Sequence, residues 1–297
     1  MNTLSEAFNA NYKIVSASSE ELLKESQRLR YQVFCAERTI FDGKNFKEGL
    51  ETDEFDSRSI HSFIRSNETG LAVASVRLVL ADTEELSKFF PIEKYCGVHL
   101  KKGNFEPGTF SRESLAEISR FAISKEHSTE RERSELFGKR GPRPDRRVGK
   151  DDRRKNHMRR SGEEGKRNGE LIEKRGDMHG YVEWQERSLK ERRMHPERRF
   201  FSYLTLGLTR AILQMGAEKN ITHVYACMEP SLCRLLKRYG FFFKPVGPTV
   251  DYFGKRQPCF ASAEELLEGV FNERPDIWDF ITDGGRLWSF SSGHVLT

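Results

Sequence analysis

The run Leu115-Ala-Glu-Ile-Ser-Arg-Phe-Ala-Ile-Ser124 decides how this chain is read. Its apolar residues make it a strand, yet Glu117 and Arg120 interrupt it. Three residues apart, their side chains point to opposite faces of an unbroken strand, and a β-bulge between them would bring both to one side. The anomaly recurs upstream. Arg77 sits inside LAVASVRLVL (residues 71–80), in phase with Leu71 and Val73, and Arg30 lies near the apolar stripe of the first helix. A charge in such surroundings needs a partner or a ligand, because burying it alone costs several kcal/mol. Opposite charges stand in the loop ETDEFD, as Asp53, Glu54 and Asp56. Three arginines (30, 77 and 120) and three acids (53, 56 and 117) are expected to form one network across the strand ends. Two readings stand: ion pairs that fix the loop to the sheet, or the charged cluster of an active site.

Working outward, Glu20 to Phe34 lacks Gly and Pro and carries Leu22, Leu29, Val33 and Phe34 as a broken apolar stripe. Ser18 with Glu21 resembles a capping box at its start. A polar loop spans Thr39 to Glu54. Ser59 to Arg65 and Leu71 to Leu80, joined by SNETG, predict an antiparallel hairpin. Asp82 to Gly108 reads as helix and loop. Later, Phe200 to Lys219 predicts an apolar helix, Thr222 to Met228 a buried strand, and Pro230 to Tyr239 a basic helix ending at Gly240. Phe241 to Val246 predicts another strand, which Cys259 to Ala261 would join after the turn-rich Gly247 to Pro258. A short helix at Ala263 to Phe271 and an aromatic-bearing tail end the chain. The order predicts one mixed α/β domain interrupted in its middle: residues 1–125 and 200–297, with 264–297 as C-terminal helix and tail, around an insert at 126–199.

The interruption shows in the charge. The chain has 297 residues, 36% hydrophobic and 32% charged, with a net charge of +5. Residues 126–199 hold 23 Lys and Arg, 17 of them Arg, against 16 Asp and Glu. That segment carries +7 and the rest of the chain −2, which excludes a uniformly basic nucleic-acid binder and leaves a single basic appendage. With so few apolar residues the segment is expected to be disordered, with at most a transient helix around Leu189. No run approaches the roughly 18 apolar residues of a membrane span, and Met1 to Val15 lacks a basic-then-apolar export pattern. Five cysteines (Cys35, Cys96, Cys227, Cys233 and Cys259) include no CxxC pair, and there is no HExxH. The expectation is a protein of the reducing cytoplasm, in peripheral contact with the inner membrane at most, with no disulfide framework, metal site or redox cofactor.

The motifs RYQVF (Arg30, Phe34), DEFD (Asp53, Asp56), SVRL (Arg77) and EISRF (Glu117, Arg120) resemble, in order and internal spacing, the signature of acyl-homoserine lactone (autoinducer) synthases. Together they cover residues 28–124. Ten residues after Arg30, where that signature has Trp, stands Ile40, followed by Phe41. The Arg-rich insert and the ending GPTVDYFGKRQPCF differ as well. With these differences the chain more closely resembles the N-acyl amino acid synthase-like acyltransferases associated with exosortase/PEP-CTERM systems. The resemblance implies the GNAT fold, an α/β domain whose central mixed, mostly antiparallel sheet is flanked by helices. It also implies transfer of a fatty acyl group from acyl carrier protein or coenzyme A to the amine of a small acceptor, an amino acid foremost. The acyl-thioester is a co-substrate, and no further cofactor is implied.

The resemblance further implies direct attack without a covalent enzyme intermediate. Glu117 would take the amine's proton, with Arg120 beside it holding the carboxylate ionised. Backbone N–H groups near Ser119 to Ala122, those of Phe121 and Ala122 among them, would hold the oxyanion. Asp53 and Asp56 would hold the amine and Arg30 or Arg77 an acceptor carboxylate, or these four would only brace the loop. Phe34 would pack against the loop or line the donor site. The pantetheine arm would run from the strand end near Lys125 towards the helix beginning near Phe200. Phe201 and Phe241 to Phe243 would line an acyl tunnel or simply fill the core. The insert would be an inert spacer, a dock for acidic acyl carrier protein or anionic membrane, or, least favoured, a nucleic-acid binder. Two alternatives remain: an acyl-homoserine lactone synthase, and a GNAT-like binding module without turnover that uses its insert for nucleic acid or membrane.

Overall fold

β1 (Tyr12–Ser16), β2 (Ser59–Ser66), β3 (Ala72–Leu80), β4 (Leu115–Ile123), β5 (His223–Met228), β6 (Lys244–Pro245), β7 (Val250–Asp251) and β8 (Lys255–Ser262) build the molecule's sheet. The computed structural model describes residues 3–82, 89–100, 111–125 and 203–288; the basic segment 126–199 and Phe201 lie outside the described residues. The strand order is β1-β2-β3-β4-β5-β8-β6, with β7 paired to β8 off that path. Every pairing is antiparallel except β4 with β5, which run parallel over Leu115–Ile118 and His223–Ala226. Residues on both sides of the basic segment therefore share one sheet. The parallel pairing stops at Ile118 and Ala226, although β4 runs on to Ile123 and β5 to Met228.

The helices are α1 (Leu4–Asn11), α2 (Glu20–Tyr31), α3 (Pro91–Leu100), α4 (Tyr203–Glu218), α5 (Pro230–Lys237), α6 (Ala263–Glu273) and α7 (Pro275–Thr282). On β3, Ala74, Val76 and Leu78 join a large core cluster with Leu204 and Leu208 of α4 and Phe280 of α7. Val79 points the other way, into a smaller cluster with Phe55, Phe90, Ile92 and Leu115. Strand alternation requires this division, and it puts Arg77 on the second face, under the 51–58 loop. A β3 buried on both sides explains its near-continuous apolar run.

Several elements depart from the sequence pattern for visible reasons. Ser19, not Ser18, caps α2 by accepting the Leu22 N–H, and it also donates to Glu21. The first helix leaves α geometry at Gln32 and continues as a π turn through Glu37, closed by Arg38 N–H on the Val33 carbonyl. The strand expected over Phe241 to Val246 shrinks to two residues. Phe241 N–H turns back to the Leu236 carbonyl and finishes α5, with Gly240 at φ +86°. A Cβ at Gly240 would lie 2.3 Å from the Gly269 carbonyl oxygen, so only glycine lets α5 close on α6 here. Within the expected tail, Pro275–Thr282 form α7, and residues 289–297 lie outside the described residues. The short α1 and β1, on which the pattern was silent, add an edge strand beside β2. Among the described residues no helix is long and apolar enough to cross a membrane.

Candidate active site

The bulge that the sequence calls for is present, displaced by a few residues. Arg77 pairs with Ser119 and Ser75 with Ala122, so Arg120 and Phe121 together face Val76. Arg120 adopts φ +51°, a left-handed conformation costly for a non-glycine residue and held here by its surroundings. Phe121 lines the adjoining cavity, whereas Ala122 returns to register and packs in the core with Leu29 and Val33.

Arg30, Arg77 and Arg120 meet three carboxylates from one short loop. Arg30 Nε donates to Glu51 Oε2 at 2.5 Å, and its Nη1 and Nη2 form a fork on Asp56 at 2.8 and 3.2 Å. Arg77 reaches Asp53 with Nη1 and Nη2 at 2.5 and 3.0 Å, Asp56 with Nη1 at 2.7 Å, and Ser119 Oγ with Nε at 3.0 Å. Arg120 donates from Nε to Glu51 at 3.0 Å and from Nη2 to Asp53 at 2.8 Å. The third acid is therefore Glu51, not Glu117. Arg30 and Arg77 are each 1% exposed. Three cations and three anions balance, and each carboxylate oxygen of Asp53 and Asp56 is occupied. Such a cluster ties the loop to β3 and β4.

Electrostatics follow the pairing. Burial works against ionising Asp56, but Arg30 and Arg77 outweigh it and hold the carboxyl well below the usual range. Asp53 is lowered in the same way, with Arg77 and Arg120 overcoming burial. His61, buried opposite Arg77, is pushed down to about 4 by burial and by the Arg30 charge. It is neutral, so its 3.6 Å approach to Asp56 is not an ion pair.

Glu117 stands apart. It is 3% exposed, and the hydrogen bond it accepts is from Ile92 N–H, 2.8 Å from Oε2, in the first turn of α3. Burial pushes its carboxyl up to about 8, against the Ile92 N–H and the Arg77 charge. The expectation that Arg120 keeps Glu117 ionised is thus overturned: Arg120 is engaged by Glu51 and Asp53, and Glu117 is left to desolvation.

Beyond the last β4–β5 pair the sheet opens into a cavity of about 470 Å³, a size suited to a small-molecule site. Glu117, Ser119 and Arg120 are among its lining residues, and most of the rest of the lining is apolar, with Phe121, Ile212, Leu232, Phe241 and Phe243 among the side chains. Phe242 instead lies at the surface. Phe34 lines the cavity and packs on Phe41 at 5.8 Å, and the Arg120 guanidinium sits over Phe41 at 5.0 Å. Phe41, the aromatic beside the position where the resembling signature has Trp, thus covers the network. Cys227 also lines the cavity, but its hydrogen bond with Cys96 and its burial push the thiol well above its ordinary value, which makes it a poor nucleophile.

Sequence reasoning missed Glu51, His61, Phe41 and Tyr252. Glu51 had a signal: it opens ETDEFD two residues before Asp53. Glu54 of the same run turns outward to Lys94.

Among solved structures, the chain is similar to the acyl-homoserine lactone synthase LasI, with 15% identity over 87% of this chain and 95% of that one and a TM-score of 0.48. The CoA-dependent acyl-homoserine lactone synthase BjaI gives 16% identity over 93% and 89%, with a TM-score of 0.47. FeeM, an N-acyl amino acid synthase from uncultured soil microbes, gives 9% over 87% and 93%, with a TM-score of 0.40. No curated protein matches the chain in sequence. The family described as Acetyltransferase (GNAT) domain matches residues 29–136. This segment is similar to an acetyltransferase (GNAT) domain. The GNAT segment takes in the whole ion network, the bulge and Glu117, while the apolar body of the cavity draws largely on residues beyond it.

Proposed function

We propose that this chain transfers a fatty acyl group from an acyl-thioester to the amine of a small amino-acid acceptor by direct attack. One observation carries the reading: a buried carboxyl, with no arginine ion pair among the described residues, lines an apolar cavity beside a strand bulge. With its carboxyl near 8, Glu117 is matched to the proton of an alkylammonium and takes it, directly or through one water, as the nitrogen attacks the thioester carbon. The bulge at Arg120 and Phe121 presents backbone N–H groups to the oxyanion that forms. Collapse breaks the C–S bond, and the thiolate leaves as the carrier's thiol after protonation. The apolar body of the cavity takes the acyl chain. Protonated Cys227 supports attack by the acceptor itself over an acyl-cysteine intermediate. We assign acyl carrier protein as the donor's carrier, because the +7 segment at 126–199 complements an acidic partner.

The test is mass spectrometry of lipid extracts from cells expressing the wild type or Glu117→Gln. An N-acyl amino acid series confined to the wild type is expected. A lactone series would reassign the acceptor, and a purified chain that fails to acylate any of an amino-acid pool would sink the reading.

A further inference from the structure

An amino-acid acceptor brings a carboxylate as well as an amine, and the ion network has no place for it. Arg30 and Arg77 are buried and saturated by Glu51, Asp53 and Asp56. Arg120 reaches the cavity, but two carboxylates neutralise it and Phe41 covers its face. Among the described lining residues, two further guanidiniums remain, Arg38 and Arg256. Arg38 lies exposed, where water screens it and weakens any pair.

Arg256 differs. It is 18% exposed, and among the described residues its one carboxylate contact is a 3.3 Å approach of Nη1 to Glu229, itself 53% exposed. That is long for a charge-assisted hydrogen bond. Nη1 also donates to the Lys255 carbonyl, while Nε and Nη2 make no hydrogen bond among the described residues. The turn that delivers Arg256 lines the cavity and is fixed by ring contacts. Tyr252 stacks on Tyr95 at 4.8 Å, and Phe253 meets Phe41 edge-on at 4.8 Å. Phe253 takes φ +53° with Gly254 at +96°, a conformation that these ring contacts hold in place.

We infer that Arg256 anchors the acceptor's carboxylate in the cavity that Glu117 lines, so that the acceptor is an amino carboxylate and not a plain amine. The inference rests on the acyl-transfer reading above and names the specificity residue of that same site. Tyr252, between Tyr95 and Phe253, forms a wall of the acceptor's berth.

The test uses the purified full chain, acyl carrier protein and acyl-CoA donors in parallel, and matched acceptors: an amino acid, its amide and the corresponding decarboxylated amine. The wild type should favour the carboxylated acceptor by roughly 10- to 100-fold in kcat/KM. Arg256→Gln should raise the amino acid's KM by a similar factor, with kcat and the plain amine's KM little changed, and Arg256→Lys should recover part of the loss. Titration calorimetry of the amino acid against both variants gives a readout independent of turnover. Wild-type turnover that ignores the carboxylate would overturn the anchor and leave acyl transfer standing. Wild-type failure with every amine would remove both. A folded Arg256→Gln chain that keeps the wild-type acceptor preference and affinity would overturn the assignment to Arg256, and the milder Arg256→Lys serves the same comparison where the first variant fails to fold.

Discussion

Arg120 turns away from Glu117, three residues before it on β4, and gives its guanidinium to Glu51 and Asp53. Arg120 leaves the ladder at the bulge, and burial, with no Arg120 charge against it, pushes the Glu117 carboxyl up to about 8. Acting as a base, Glu117 must be ionised, so kcat/KM should climb about tenfold from pH 7 to pH 9 and then level off. Linkage gives a second signature. The folded state holds this proton more tightly than an unfolded carboxyl near 4.5, so the stability gained is full below that value and fades as pH rises through about 8. Glu117→Gln should lack activity and melt higher than the wild type at pH 9. A flat pH profile, or a variant that melts lower at pH 9, would refute the role.

Glu51 and Glu54 lie in one hexapeptide with opposite fates. Glu51 is buried between Arg30 and Arg120, and Glu54 meets Lys94 at the surface. Glu51→Gln should cost about 3–5 kcal/mol in urea unfolding, because two guanidiniums lose a buried partner. Glu54→Gln should cost under about 1 kcal/mol. Equal losses would mean that the network does not brace the loop.

That contrast marks what could be read from sequence. Charged residues inside LAVASVRLVL and LAEISRFAIS announced the network, because an isolated buried charge is too costly to be accidental. Periodicity located β2, β3, β4, β5 and α6, whose apolar patterns match their burial. Which acid met which arginine was not legible, since it depends on how a short irregular loop folds over β3 and on a single extra residue in β4. A bulge between Glu117 and Arg120 would have brought the two together; the extra residue lies instead at Arg120 and Phe121, and Arg120 goes to Glu51 and Asp53. Arg256 carried no sequence signal, because its role arises from a turn held by rings more than 150 residues away in the chain.

Arg77 is expected to act as a brace. Asp53 and Asp56 are held below their ordinary values by Arg77 and its neighbours, so the stability they contribute is present above about pH 4 and lost as pH falls through the folded values. Arg77→Lys keeps the charge but loses the fork. Its acid-unfolding midpoint should move up by about one pH unit, with a loss of ~2–4 kcal/mol at neutral pH. Donor and acceptor KM should change together. A selective rise in acceptor KM at unchanged stability would instead make Arg77 a ligand for the acceptor.

The basic segment yields a donor-specific expectation. Deleting residues 130–193 removes the whole net +7 carried by 126–199. The KM for an acyl carrier protein donor should rise on the order of tenfold and lose its salt dependence, with acyl-CoA kinetics unchanged. An unaltered carrier-bound KM would exclude docking there.

The last expectation concerns chain length. Phe241 and Phe243 line the cavity body, while Phe242 between them is exposed. Phe243→Ala enlarges the apolar space without touching the network, so kcat/KM should shift towards longer acyl chains by about tenfold or more. Phe242→Ala should leave the preference where it is. Product chain-length distributions, read by mass spectrometry from purified enzyme with mixed acyl-CoA donors, separate the two. If both variants give the wild-type distribution, the acyl chain does not occupy this cavity and must lie elsewhere on the molecule.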